Sequence, residues 1–334
     1  MSSKRPQPTP AGVRPYVSKR QKLSTQSADL NTEGSSSSQH TNLHLLSTVS
    51  ERIRPHLGRK GRTELPKYVQ HQLQAHQGPV NTVQWCPVPH LSHLLLSASM
   101  DKTFKVSLFE DSVGRCLQTY SGHSGAVRDA CWLPCGRRIL SGSFDNTAAV
   151  TEVETGFKVT CLAFQPSDPS VFLCGGFSAE VKAWDSRSCQ LNFMFHLNYA
   201  AATLYNIFVL DILQERYTCP SLALHPQEDS FVAQTNGNYI ALFSAQRPYR
   251  MNKMKRFEGH KVEGYAAQCE FSSDGTILSS GSSTGSAHFY DFQSGRSVLR
   301  LHAHEQACMC VSFHPVLSSV VATCDWGGEI KIWN

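Results

Sequence analysis

Two sets of residues in this chain hold the inventory of an acyl-transfer triad: His76, Ser97 and Asp101, then His123, Ser141 and Asp145. In such a triad the histidine takes a serine proton while the carboxylate orients the ring. The sets recur, however, with 47 residues between the histidines and 44 between the aspartates. An enzyme needs its constellation once, so a constellation repeated along the chain belongs to a repeated structural unit. No catalytic residue is assigned here, and no small-molecule substrate is expected. A Gly-rich phosphate cradle followed by lysine and a nucleophile elbow are both missing from the sequence, and "GSSTGS" at 281–286 reads as a turn. No cofactor is expected either.

The twelve cysteines are scattered, with Cys308-x-Cys310 and Cys131-x₃-Cys135 as the closest pairs. That spacing does not suit a zinc site, so no metal is expected. Cys131, Cys161 and Cys269 lie in apolar runs, where a thiol behaves as a small buried hydrophobe and points to a reducing compartment. The stretch 191–213 is apolar enough to suggest a membrane span, but Asn192, His196, Asn198, Asn206 and Asp211 interrupt it, and no membrane partner is expected.

The elements that must hold the recurring sets are short. From about residue 68 the chain reads as brief β-rich runs divided by Gly, Asp, Asn and Ser turns. Six copies are legible, at 75–109, 122–153, 159–185, 219–244, 259–291 and 303–334. Residues 1–67 differ, with a Pro-rich start, the run Ser35–Ser38 and 12 Lys/Arg against 4 Asp/Glu. Such a segment buries too little apolar area to fold alone, and it is expected to be a disordered basic arm. The arm carries +8 and the remainder −3, so any RNA contact or nuclear import signal belongs to the arm.

The copies begin near Gly/Ala-His, have a Ser/Gly-rich middle and close on an aromatic, as in Trp184-Asp185 and Lys331-Ile332-Trp333. They resemble the WD-repeat family over nearly all of residues 68–334. The resemblance implies an all-β propeller of four-stranded blades. The closing positions are Ser107, Thr151, Trp184, Phe243, Tyr290 and Trp333, with a short gap of 33 before Trp184 and a long one of 59 after it. A degenerate or truncated fourth repeat is therefore placed at 189–216, for seven nominal blades, the alternative being six blades and an insert. Residues 68–73 stand where the family's ring-closing strand sits, before the first Ala-His.

In this family the His, Ser, Asp and Trp of a repeat form a buried hydrogen-bonded set, which satisfies the carboxylate. By that pattern His260 and His304 are kept, while Thr284 and Gly327 replace their aspartates, and no repeat holds all four members. The residue before the Asp position lies on the propeller's rim in family members and often touches partners. Here those residues are Met100, Phe144, Phe177, Asn236, Ser283 and Trp326, with Arg128 and Met309 expected to face the same entrance. Large apolar side chains and arginine are enriched at interface cores, which makes this rim the expected protein-binding site.

Trp184-Asp185-Ser186-Arg187 also fits the W-D-x-R pattern of adaptors for cullin-type ubiquitin ligases. Stretches such as "GHSGAVRDACW" (122–132), "TCPSLALHP" (218–226) and "TCDWGGEIKIW" (323–333) are similar to a branch of the WD-repeat family that in turn resembles a second-step pre-mRNA splicing factor. The reading is thus a non-enzymatic protein scaffold in a nuclear ribonucleoprotein assembly of the splicing type. A ubiquitin-ligase substrate receptor is the alternative.

Overall fold

The computed structural model describes residues 53–58, 61–109, 114–149, 153–154, 159–165, 168–176, 180–185, 190–196, 220–245 and 250–334. These build six antiparallel four-stranded sheets. Blade 1 is β2 (Val80–Trp85), β3 (Leu94–Ser99), β4 (Phe104–Leu108) and β5 (Arg115–Tyr120). Blade 2 is β6 (Val127–Trp132), β7 (Ile139–Ser143), β8 (Thr147–Ala149) and β9 (Val153–Glu154). Blade 3 is β10 (Val159–Gln165), β11 (Asp168–Gly176), β12 (Glu180–Asp185) and β13 (Gln190–His196). Blade 4 is β14 (Ser221–Leu224), β15 (Ser230–Gln234), β16 (Tyr239–Ser244) and β17 (Met251–Glu258). Blade 5 is β18 (Cys269–Phe271), β19 (Ile277–Ser280), β20 (Ser286–Asp291) and β21 (Ser297–His302). Blade 6 is β22 (Cys308–Phe313), β23 (Val321–Asp325) and β24 (Glu329–Trp333), completed by β1 (Val69–Gln74).

The last sheet takes its outer strand from the other end of the chain, as residues 68–73 suggested. Val69 pairs with Trp333 and Gln74 with Glu329, and Tyr68 and Asn334 exchange backbone hydrogen bonds at 2.9 and 3.0 Å. The nominal seven blades are not what the described residues build. Gln190–His196, placed by spacing in a degenerate repeat, is instead the outer strand of blade 3, paired with β12. Residues 197–216 lie outside the described residues, and with them most of the apolar stretch 191–213. No helix among the described residues is long and apolar enough to cross a membrane.

Packing between blades explains the strand pattern. The inner strand β22 is buried at all its positions, while the outer strands β5 and β21 are exposed along most of their length. Apolar clusters fill five junctions: Trp85 and Val83 against Met309 and Ile332, Leu96 against Val127 and Trp132, Leu140 against Phe172, Leu242 against Phe271, and Phe289 against Phe313. Hydrogen bonds cross the same junctions. Trp132 N–H donates to Gln84 Oε1 at 3.0 Å, Leu162 N–H to Asp129 Oδ2 at 2.9 Å and Cys269 N–H to Ser221 Oγ at 3.2 Å. Glu270 likewise accepts from Phe313 N–H and from the Ser312 hydroxyl.

The expected disorder through residue 67 does not hold for the end of the arm. Residues 61–67 form a strap across the turns that join first to second strands. Thr63 bonds Asp274, Glu64 N–H donates to Ser318 O at 3.0 Å, and Lys67 N–H donates to Asn334 O at 2.8 Å. Ile53, at 1% exposure, lines a small cavity with Trp85, Phe109 and Ile332. Leu65 packs against the cluster between blades 5 and 6 and Pro66 is buried, local contacts that composition averaged over 67 residues concealed.

The turns joining second to third strands share one backbone device. Lys102, Asn146, Asn238, Gly285 and Gly328 occupy equivalent positions with φ of 70°, 68°, 62°, 75° and 94°. At Gly328 a Cβ would lie 2.3 Å from His76 O, so both conformation and space demand glycine there. Gly328→Ala is expected to cost more than about 2 kcal/mol in denaturant unfolding, while Asn146→Gly changes stability by less than about 1 kcal/mol.

Burial pushes the Glu270 carboxyl up to about 8, against an ordinary value of 4.5, with the Ser312 and Phe313 donors only partly offsetting it. Between those values the native state holds a proton that the unfolded chain releases, so stability from this site is full below about 4.5 and is lost as pH rises through about 8. Glu270→Gln, which keeps the acceptor oxygen, is expected to flatten the pH dependence of the melting temperature between pH 5 and 8 and to exceed the parent at the upper end.

Candidate functional site

The triad-like sets form at the end of each blade where these turns lie. In blade 1 the His76 Nδ1–H donates to Asp101 at 2.9 Å and the Ser97 hydroxyl donates to Nε2 at 2.8 Å. Blade 2 repeats this, with His123 at 2.9 Å from Asp145 and 2.8 Å from Ser141. Thr103 and Thr147 each donate a hydroxyl to their aspartate at 2.6 Å. Burial alone would raise both carboxyls. The bonds from Thr103 and His76 hold Asp101 below its usual value, and those from Thr147 and His123 take Asp145 to about 2. Burial lowers His76 in spite of Asp101 and keeps the ring neutral. Ser97 and Ser141, at 1% and 0% exposure, are sealed inside the sheets, so no substrate reaches their hydroxyls. The sets lock turns.

Blades 5 and 6 keep a histidine-centred set with different atoms. In blade 6, Gly327 stands at the Asp position as the sequence indicates, and other side chains take over the missing contacts. His304 Nδ1–H donates to Glu329 at 2.8 Å, Nε2 meets the Thr323 hydroxyl at 2.8 Å, and the Trp333 indole donates to the same hydroxyl at 2.9 Å. Asp325 Oδ1 takes the backbone donors Gly327 N–H and Glu329 N–H at 2.9 and 2.8 Å. Carboxylates two residues before and two after Gly327 thus replace the missing one. They occupy the slots of Ser99 and Thr103 in blade 1, which was the legible signal.

His260 in blade 5 has no carboxylate. Its Nδ1–H donates to Tyr290 Oη at 2.8 Å and its Nε2 accepts from the Gln234 amide of blade 4 at 2.6 Å; burial and nearby His288 lower it to about 4. Blade 3 has Cys174 in the Ser position, and the buried Trp184 indole N–H has no hydrogen-bond partner. His304, Asp325 and Glu329 have donor atoms within 4.8 Å of one another, close enough to share a cation. Lys331, with its ammonium 3.2 Å from Glu329, already supplies positive charge there.

The rim residues stand on the same turns. Met100, Phe144, Ser283 and Trp326 each donate a backbone N–H to the loop before the blade's first strand, to Pro79, Ala126, Lys261 and Ala307 at 2.7–3.0 Å. The backbone beneath them is therefore fixed. Met100, Phe144 and Trp326 are half-buried and fall on blades 1, 2 and 6, which are neighbours in the ring, while Asn236 is exposed on blade 4. Tyr265, which sequence reading passed over, meets Trp326 edge to face at 5.2 Å. Arg128 is half-buried and donates to Asn81 Oδ1 at 2.9 Å. Met309 is a correction: at 0% exposure it is core between blades 6 and 1, because β22 is an inner strand covered on both sides. Phe177 lies outside the described residues, as do Ser186 and Arg187 of the W-D-x-R match.

Four-stranded blades, the His–Ser–Asp turn locks and the N-terminal strand that completes the last blade together define a WD-repeat β-propeller. Residues 67–106, 114–152, 251–291 and 295–334 match the WD domain, G-beta repeat. The chain is similar to WD repeat-containing protein 25 of Mus musculus, with 50% identity over 86% of this chain and 62% of the relative. It is also similar to pre-mRNA-processing factor 17 of Homo sapiens, at 30% identity over 81% of this chain and 52% of that protein, and to its Saccharomyces cerevisiae counterpart at 25% over 81% and 68%. The chain thus spans less than two thirds of the length of each of the first two relatives.

Asp145→Asn is expected to cost about 1–3 kcal/mol in urea unfolding near pH 7, since it replaces a charged acceptor of several donors. The Asp145 carboxyl lies below its ordinary 3.8, at about 2. Its stabilisation is present above the ordinary value and is lost as pH falls through the lower one, so the difference between parent and variant should shrink below about pH 4 and vanish near pH 2.

Proposed function

We propose that this chain is a non-catalytic scaffold that docks proteins on the rim formed by Met100, Phe144 and Trp326, within a nuclear pre-mRNA splicing-type assembly. The observation that carries the reading is Trp326, partly exposed at a backbone-locked turn and braced by Tyr265. A rigid, partly exposed indole has little conformational freedom to lose on binding, which is why tryptophan dominates interface energetics. Arg128, held by Asn81, adds a guanidinium beside this patch rather than a mobile charge. Similarity to pre-mRNA-processing factor 17 supports the splicing assignment and nuclear location, and the +8 arm suits phosphate contacts with RNA. Phe144→Ala with Trp326→Ala is expected to strip spliceosomal proteins from an affinity purification while the melting temperature shifts by only a few degrees. Unchanged co-purifying proteins with an intact fold would overturn the rim assignment.

A further inference from the structure

The strap at 61–67 carries a hydroxyl in an unusual position. Thr63 N–H donates to Asp274 Oδ2 at 2.7 Å and Thr63 Oγ1–H donates to Asp274 Oδ1 at 2.7 Å, joining residues 211 positions apart. Asp274 also accepts the hydroxyls of Ser272 and Thr276 at 2.7 and 2.8 Å and Thr276 N–H at 3.1 Å. Burial by itself would raise this carboxyl, yet the bonds from Ser272 and Thr63 hold it well below the usual range, so it is fully ionised at neutral pH. The strap has no strand or helix of its own, and Thr63 is half-buried between exposed Arg62 and Glu64. Beyond this point its hold is Glu64 N–H on Ser318 O, Lys67 N–H on Asn334 O, and the packing of Leu65.

We propose that Thr63 is a phosphorylation site for a basic-directed serine/threonine kinase, and that its phosphate releases the strap from blades 5 and 6. Kinases of this class select basic residues on the N-terminal side of the acceptor; Arg62 directly precedes Thr63, in an arm with 12 Lys/Arg against 4 Asp/Glu. In the reaction Thr63 Oγ1 forms a bond to the γ-phosphorus of a nucleoside triphosphate. The β–γ bridging P–O bond breaks, the nucleoside diphosphate leaves, and the hydroxyl proton passes to the kinase base. The kinase acts on the undocked strap. Redocking then requires a phosphate of charge near −2 to face the ionised Asp274, whose other donors, Ser272 and Thr276, are already committed. Loss of the Thr63 donor and the new repulsion act in the same direction, and phosphorylation traps the open population. The outcome is a basic arm either tied to the end of the propeller opposite the rim or released from it.

The test uses the full chain, the catalytic subunit of a cyclic-AMP-dependent kinase and ATP, with phosphosite mapping and amide hydrogen exchange over residues 63–67. The expected result is phosphate on Thr63 and exchange at Thr63, Glu64 and Lys67 faster by about tenfold or more, the rest of the propeller being unchanged. Thr63→Val, which keeps the backbone bond, should show no kinase-dependent change. In Asp274→Asn, phosphorylation should add a smaller increase, because the repulsion is gone. No phosphate at Thr63 overturns the proposal. So does phosphate there with unaltered exchange, or an increase of equal size in Asp274→Asn.

Discussion

A four-stranded sheet with two apolar faces cannot satisfy both by itself, and most of this structure follows from that constraint. Neighbours must cover each face, which is why inner strands such as β22 are buried throughout and why aromatic and aliphatic side chains from adjacent blades interdigitate at the junctions. The arrangement becomes closed at blade 6 only because β1 pairs with β24. That pairing joins the most distant parts of the propeller sequence in one sheet. The strap at 61–67 extends the same tie onto the turns of blades 5 and 6.

The polar chemistry serves this architecture. A turn that must pass through a left-handed residue and leave backbone donors near the core needs a local acceptor, and a carboxylate bonded to threonine, backbone and imidazole provides one. Blade 6 demonstrates that the requirement concerns the acceptor rather than the residue position. Glu329 reaches His304 from one side of Gly327 and Asp325 reaches the backbone from the other. In blade 5 the Ser282 hydroxyl oxygen accepts Lys261 N–H and Thr284 N–H, while the Tyr290 phenol and the Gln234 amide of the neighbouring blade bind the His260 ring, leaving His260 neutral. Since every such set lies inside a sheet end, it fixes the geometry of the rim above it without being open to a ligand.

Rim and strap occupy opposite ends of the blades. One end presents side chains on locked backbone, and the other holds the last residues of a basic arm through one carboxylate and a few backbone bonds. A scaffold built in this way can keep its docking face rigid while the attachment of its arm changes, because antiparallel strands separate the two sets of turns.

Period and patterning within the sequence were enough to determine the repeat and the recurring His, Ser and Asp of blades 1 and 2, since these depend on residues a fixed distance apart, while the four-stranded blade and the strand that closes blade 6 came with the family resemblance those residues carry. The acceptors Glu329 and Tyr290, the burial of Met309, the bracing of Trp326 by Tyr265 and the docking of Thr63 on Asp274 were decided only in the tertiary structure. Strand alternation says that Met309 and its neighbours face opposite ways, but which face is covered depends on the adjacent blade. The strap is the extreme case: its partner lies 211 residues away, and nothing local distinguishes Thr63 from any other threonine in a basic, polar segment.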